Sequence, residues 1–285
     1  MKLLISSLLL AGSAVCVFGA TTIDTANRYA YGASSGWLDW RGDTANGGVI
    51  GDYVCSGYIY SANVGWINLG SGSPTNGICY QNISVNDVGV NHDGLGNLRG
   101  NTYGANLGWV NFESTGAPKV DLATGNLSGY VWSTNCGWIS LSNAFAYVQT
   151  DTISPGLLDA SGLPIAWEMT YFGTTNINAN ADADGDGVSN YQEYLAGTSP
   201  INGSEYLRIT EQNFTSGGTN ATLTWTSVLT RFYHIQETLR LGAPSWSESG
   251  LGLISPDGLL TTRSFTDTNS PMRFDRVRAV RPLAP

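Results

Sequence analysis

GYIYSANVGWINL (57–69), GNTYGANLGWVNF (100–112) and GYVWSTNCGWISL (129–141) align without a gap, and RYAYGASSGWLDW (28–40) is a worn fourth copy. The shared core is an aromatic residue, two small residues, Asn or Ser, any residue, Gly-Trp, then apolar, polar, apolar. The tryptophans at 37, 66, 109 and 138 put 72 residues between first and third copies and again between second and fourth, so the region reads as a duplicated pair. Alternation with a period of two runs through each copy. In the last, Tyr130 and Trp132 precede a Ser-Thr-Asn-Cys-Gly turn, and Trp138-Ile139-Ser140-Leu141 follows it. Two strands joined by a tight hairpin fit this pattern, with Gly and Asn tolerating positive φ in the turn. Lys119-Val120-Asp121-Leu122 supplies a further strand. Each copy is then a small meander that buries its aromatic face by stacking on its neighbours.

The chain has 285 residues, 12% of them charged against the roughly 25% usual for a soluble domain. Its 36 glycines and 31 aromatics favour turns and sheets over helices. The net charge is −9, of which −7 lies in residues 150–203, and no Lys or Arg occurs between Lys119 and Arg208. Without a basic footprint to displace counterions from phosphates, nucleic acid is not an expected partner. The acidic middle favours cations instead.

Residues 1–20, MKLLISSLLLAGSAVCVFGA, carry one Lys, an apolar run and small residues suited to cleavage. They read as a secretory signal peptide and point to a secreted or cell-surface protein, with no transmembrane segment expected in the mature chain. In a compartment that permits disulfides, Cys55 and Cys79 are the expected pair. Cys136 is the spare, a small buried hydrophobe in the slot that Val64 and Leu107 occupy in sister copies.

Asp182, Asp184, Asp186, Asn190 and Glu193 place side-chain oxygens at positions 1, 3, 5, 9 and 12 of a loop, with Gly187 at position 6 and the Val188 carbonyl at position 7. That spacing suits Ca²⁺, a hard cation that takes six to eight oxygens and needs a sharp turn to be wrapped by one chain. A solvated acidic turn is the alternative. Short helices are expected from Pro164 to Phe172, ended by Gly173, and from Ser189 to Ala196, ended by Gly197.

Beyond Glu205 short alternating segments return, at Tyr206–Ile209, Ala221–Thr226, Phe232–Gln236, Leu259–Phe265 and Arg273–Val280. They argue for a small β-sandwich. The expected organisation is mainly β: a signal peptide (1–20), a β-meander repeat array (21–149), a short α-helical calcium-binding segment (150–203) and a C-terminal β-sandwich (204–285).

Three resemblances accompany this reading. The repeats resemble Gly-Trp repeats of the type GYAWSxNxGWI in exported bacterial proteins, which implies an extracellular β array without a defined activity. GLPIAWEMTYFG…ADADGDGVSNYQEYLAGTSP resembles the dockerin-like and thrombospondin type 3-like calcium segments of secreted bacterial proteins, built as loop-then-helix units with an EF-hand-like loop. TLTWTS…RFYHIQET…W…RFDRVRAV resembles fibronectin type III-like modules.

The repeated aromatics admit two roles. The expected one is cross-strand core packing of Trp66, Trp109 and Trp138 with Tyr60, Tyr103 and Trp132. The alternative is an exposed platform that stacks on sugar rings, which would make the chain a carbohydrate-binding module. Two histidines, His92 and His234, and no Ser-His-Asp signature leave nucleophilic or zinc chemistry without its usual parts, so no enzyme is expected. A glycoside hydrolase would need two facing carboxylates from Asp39, Asp43, Asp52, Glu113 and Asp121. The function expected is a calcium-binding structural or adhesion protein, with calcium ion as cofactor and carbohydrate or another surface protein as further partner.

Overall fold

The computed structural model describes residues 21–214, 220–241, 245–266 and 274–284, and the signal peptide expected at 1–20 lies outside them. The chain is mainly β, with antiparallel sheets and two short helices. Strands β1 (Ile23–Gly32) and β2 (Gly36–Asp39) form the first repeat hairpin, and β3 (Ser56–Ser61) and β4 (Gly65–Ser71) the second. After β5 (Val90–His92) come β6 (Leu98–Gly104) and β7 (Gly108–Phe112). After β8 (Lys119–Val120) and β9 (Leu127–Ser128), β10 (Tyr130–Ser133) and β11 (Gly137–Ser140) make the fourth hairpin, followed by β12 (Val148–Thr150).

The hairpins do not stack as separate meanders; they join edge to edge. The order is β1-β2-β3-β4-β6-β7-β10-β11, and β11 pairs back onto β1 with Tyr31 opposite Ser140 and Gly32 opposite Ile139. Eight strands thus close into a barrel, and closure satisfies the strand edges that an open meander would expose. Each turn uses the same glycine, at φ +73, +76, +77 and +76 for Gly36, Gly65, Gly108 and Gly137, a region other residues enter at a penalty. The repeat asparagine stitches one turn to the last: Asn63 Nδ2 donates to the Ser35 carbonyl at 3.3 Å, and Asn135 Nδ2 to that of Leu107 at 3.0 Å.

Side chains from equivalent positions fill the barrel in rings of four. Leu38, Ile67, Val110 and Ile139 form one ring and Trp40, Leu69, Phe112 and Leu141 another, all buried. The aromatics of the second ring meet, with Trp40 and Phe112 centroids 6.4 Å apart. The 72-residue duplication is therefore a twofold alternation of core volume, aromatic at 40 and 112 and leucine at 69 and 141.

The expected core packing of Trp66, Trp109 and Trp138 is overturned. Each is 46% exposed, and Trp37 is 49% exposed. The interior of an eight-stranded barrel is just wide enough for side chains to fill. Because strand neighbours point to opposite faces, Ile67, Val110 and Ile139 take the inside and the preceding tryptophans stand outside.

The middle segment holds α1 (Ile165–Phe172) and α2 (Asn190–Ala196) at the expected places. Ser189 and Gln192 close a capping box on α2, and Gly197 ends it in the left-handed conformation. Trp167 and Tyr194 pack together with Leu163, and Tyr53 of the barrel half joins them. The C-terminal strands are β13 (Ile209–Phe214), β14 (Asn220–Thr226), β15 (Phe232–Thr238), β16 (Ser247–Glu248), β17 (Leu260–Thr266) and β18 (Phe274–Val280). They form two three-stranded sheets, β13-β14-β17 and β16-β15-β18, around Leu223, Trp225, Tyr233, Ile235 and Phe265. The strand expected at Tyr206–Ile209 begins only at Ile209, because Tyr206 and Leu207 lie before the sheet and Leu207 packs against its core.

The expected Cys55–Cys79 disulfide is not formed: Cys55, Cys79 and Cys136 are all free. Cys55 is wholly buried in the barrel core, whereas Cys79 lies in a loop with its Sγ near Asn76 and Gln81. Burial pushes the Cys55 thiol up to about 12. Cys136 is half-buried and packs against the barrel core.

Candidate metal centre and aromatic belt

The loop between the helices folds on its own carboxylates. Asp182 accepts the Gly185 and Gly187 N–H groups at 2.7 and 2.8 Å, Asp184 accepts Asp186 N–H at 3.3 Å, and Asp186 accepts Val188 N–H at 2.8 Å. These bonds gather the three aspartates until one oxygen of each lies within 4.8 Å of the others. Glu193, on the first turn of α2, is fully buried, and its Oε1 accepts only the Thr198 hydroxyl. Four buried oxygens are left without a partner: Asp184 Oδ2, Asp186 Oδ2, Glu193 Oε2 and Asn190 Oδ1. Asn190 is held in place by its other amide atom, which donates to the Asn178 carbonyl at 2.9 Å. Unsatisfied buried acceptors destabilise a fold unless a donor or cation meets them. The donor set is all oxygen, and it fits a hard divalent cation.

Glu193 registers the crowding. Burial, then Asp184 and Asp186, raise its carboxyl from the ordinary 4.5 to about 7. A raised carboxyl binds its proton more tightly in the folded state, so its favourable contribution is complete below about pH 4.5 and is lost as pH rises through about 7. Melting in EDTA should therefore show a wild-type penalty between pH 5 and pH 8 that Glu193→Gln lacks. Equal pH dependence in the two proteins would contradict it.

Asp159 and Glu168 make a smaller acidic pair at the first helix. Asp159 Oδ1 accepts Ser161 N–H and Leu163 N–H, Glu168 Oε1 accepts Ile177 N–H at 2.7 Å, and the second oxygen of each has no partner. Glu168 is fully buried, and burial raises its carboxyl. Two carboxylates meet here, against the three aspartates gathered in the loop 182–193.

The outside of the barrel carries a second feature. Cross-strand aromatic pairs recur in every hairpin: Tyr31–Trp37, Tyr60–Trp66, Tyr103–Trp109 and Trp132–Trp138, with centroids 4.9, 4.8, 5.0 and 5.0 Å apart. Between hairpins a polar residue faces the next aromatic: Asp39 opposite Tyr60, Asn68 opposite Tyr103, Asn111 opposite Trp132, Ser140 opposite Tyr31. Trp66, Trp109 and Trp138 thus belong to a belt around the barrel rather than to one flat platform. Such pairs add about 0.5–1.5 kcal/mol beyond burial, so part of the belt's role is to fasten hairpins.

Other chemistry-bearing residues are engaged locally. His92 is buried, with Nδ1 2.9 Å from the Gly51 carbonyl and Nε2 accepting Gly96 N–H, an arrangement that requires the proton on Nδ1. Asp39 pairs with Arg28, Asp52 with Arg281, Asp43 and Asp121 accept backbone N–H groups of their own turns, and Glu113 accepts from Asn111. No described helix is long and apolar enough to cross a membrane.

No protein-family model matches the chain, and comparison with curated proteins and with solved structures gives no match.

Proposed function

We propose that this chain is a secreted or cell-surface structural protein of adhesion type, in which Ca²⁺ held by Asp182, Asp184, Asp186, the Val188 carbonyl, Asn190 and Glu193 stiffens the joint between two β domains. The observation that carries the reading is how the end of α2 is fastened. Glu193 begins the turn whose last carbonyls, Tyr194 and Leu195, accept the Arg231 guanidinium of the sandwich at 2.7 and 2.9 Å. Arg231 comes so close that a side chain at Gly197 would meet its Cγ at 3.0 Å. Beside it, just past the end of β18, whose Val280 lies opposite Phe232, Arg281 pairs with Asp52 of the barrel half at 2.8 Å and lies 5.4 Å from the Tyr194 ring centroid. Burial pushes the Asp52 carboxyl up, and Arg281 pulls it back.

A cation drawing Glu193 toward the aspartates fixes the helix on which both arginines converge. Extracellular modules of this kind bind calcium with dissociation constants of about 10⁻⁴–10⁻³ M, so the site would stay filled outside a cell and serve as a clip rather than a switch. Chelation is expected to lower the melting temperature and expose residues 150–203 to protease. If EDTA alters neither, the proposal fails. Breaking the latch alone, by Arg231→Ala, should also speed cleavage near α2 while leaving calcium stoichiometry unchanged, because the guanidinium touches carbonyls and not the ligand oxygens. Loss of calcium binding in that variant would contradict this division of roles.

A further inference from the structure

We infer that the groove beside Trp109 binds a neutral oligosaccharide chain, a role independent of the calcium joint. The fourfold belt is broken at one place. In three copies the tryptophan has a second aromatic residue beside it, a tyrosine: Tyr29–Trp37, Tyr58–Trp66 and Tyr130–Trp138, at 6.2, 6.4 and 6.3 Å. In the third copy the equivalent residue is Asn101, so one flank of the Trp109 indole is open. The connection between β4 and β5 stands across that gap and encloses an open groove of about 400 Å³ lined by Trp109, Asn82, Asn101, Asn111, Ile83 and Val85.

The lining has the parts that sugar recognition needs. A pyranose presents a C–H face that packs on an aromatic ring, and hydroxyls that each donate and accept, as a carboxamide does. Trp109 is 46% exposed and supplies the ring. The Asn101 side chain makes no hydrogen bond among the described residues, and Asn111 uses only its Nδ2, on Glu113 Oε1 at 3.0 Å. The Asn82 amide holds the rim in shape, accepting Gly89 N–H at 3.2 Å and Asn101 N–H at 3.3 Å and donating to the Tyr80 carbonyl. Ile83 and Val85, 88% and 80% exposed, add apolar contact. No residue lining the groove carries a formal charge, which favours a neutral ligand over a phosphorylated or carboxylated one. Asn111 also stands opposite Trp132 on β10, so a chain leaving the groove on that side meets a second exposed indole.

Isothermal titration of the calcium-loaded protein with cellohexaose, hexa-N-acetylchitohexaose and mannohexaose, and with oligogalacturonate as the acidic comparison, tests this. Saturable binding of at least one neutral hexasaccharide is expected, with oligogalacturonate weaker. Trp109→Ala should weaken it about tenfold or more, and Asn101→Tyr, which restores the sister arrangement, should do the same by filling the groove. Trp37→Ala, two repeats away, should leave it unchanged. None of the three substituted side chains is in the barrel core, and the melting curve checks that each variant folds. Silence with all three neutral probes at about 10 mM overturns the inference, as do equal losses in Trp37→Ala and Trp109→Ala or tighter binding of oligogalacturonate.

Discussion

Phe112→Ala is expected to destabilise the barrel by about 3–5 kcal/mol, whereas Trp66→Ala should cost about 1–3 kcal/mol. Phe112 is 1% exposed and fills the ring shared with Trp40, Leu69 and Leu141, so truncation removes apolar contacts and leaves a cavity that a closed barrel cannot collapse around. Trp66 already stands half in water, and its loss forfeits chiefly the ring contacts with Tyr60 and Tyr58. Denaturant melts of both variants decide the matter. A larger loss for Trp66→Ala than for Phe112→Ala would mean that the indoles face inward, and the barrel described here would be wrong.

Glu193→Gln is expected to abolish saturable calcium binding in the millimolar range. The carboxylate is the last residue of the loop, the one placed to close the shell with both oxygens, and its Oε2 has no other partner. The carboxamide keeps the shape but offers one oxygen and a donor nitrogen where a cation needs acceptors. The Gln variant should nonetheless fold without calcium, since it removes the charge that Asp184 and Asp186 push against. Calcium titration followed by tyrosine and tryptophan fluorescence provides the measurement. Wild-type affinity in the variant would place the cation elsewhere.

The hairpins were legible because Gly-Trp turns and period-two alternation are local signals. Closure was not. It depends on Tyr31 meeting Ser140, residues more than a hundred positions apart, and on the most degenerate copy supplying the first strand. Alternation alone left open which face of each strand turns inward, yet a deciding signal was present. Asp39, Asn68, Asn111 and Ser140 lie two residues after each tryptophan, on its face, while Leu38, Ile67, Val110 and Ile139 hold the other. A face that mixes indoles with polar side chains belongs in water when the opposite face is wholly apolar. The gathering of Asp182, Asp184 and Asp186 was legible because the three residues fall within five positions of the chain. The fastening of α2 by Arg231 and Arg281 was not, since the arginines lie fifty positions apart and are brought together only by the pairing of Phe232 with Val280, and their acceptors are main-chain carbonyls and a distant aspartate. The Trp109 groove was hidden for a similar reason: Asn101 is visible as a departure from the repeat, but the loop that faces it is placed only by the fold.

Hydrogen–deuterium exchange across the joint, with calcium and then with EDTA, is the most direct measurement of the central claim. Removing calcium is expected to raise exchange in the loop 182–193, in α2 through Gly197, and in residues 228–231 of the sandwich that carry the latch. Faster exchange confined to the loop would mean that the cation is held without stiffening the joint, and the account of this protein as a calcium-clipped pair of β domains would be contradicted.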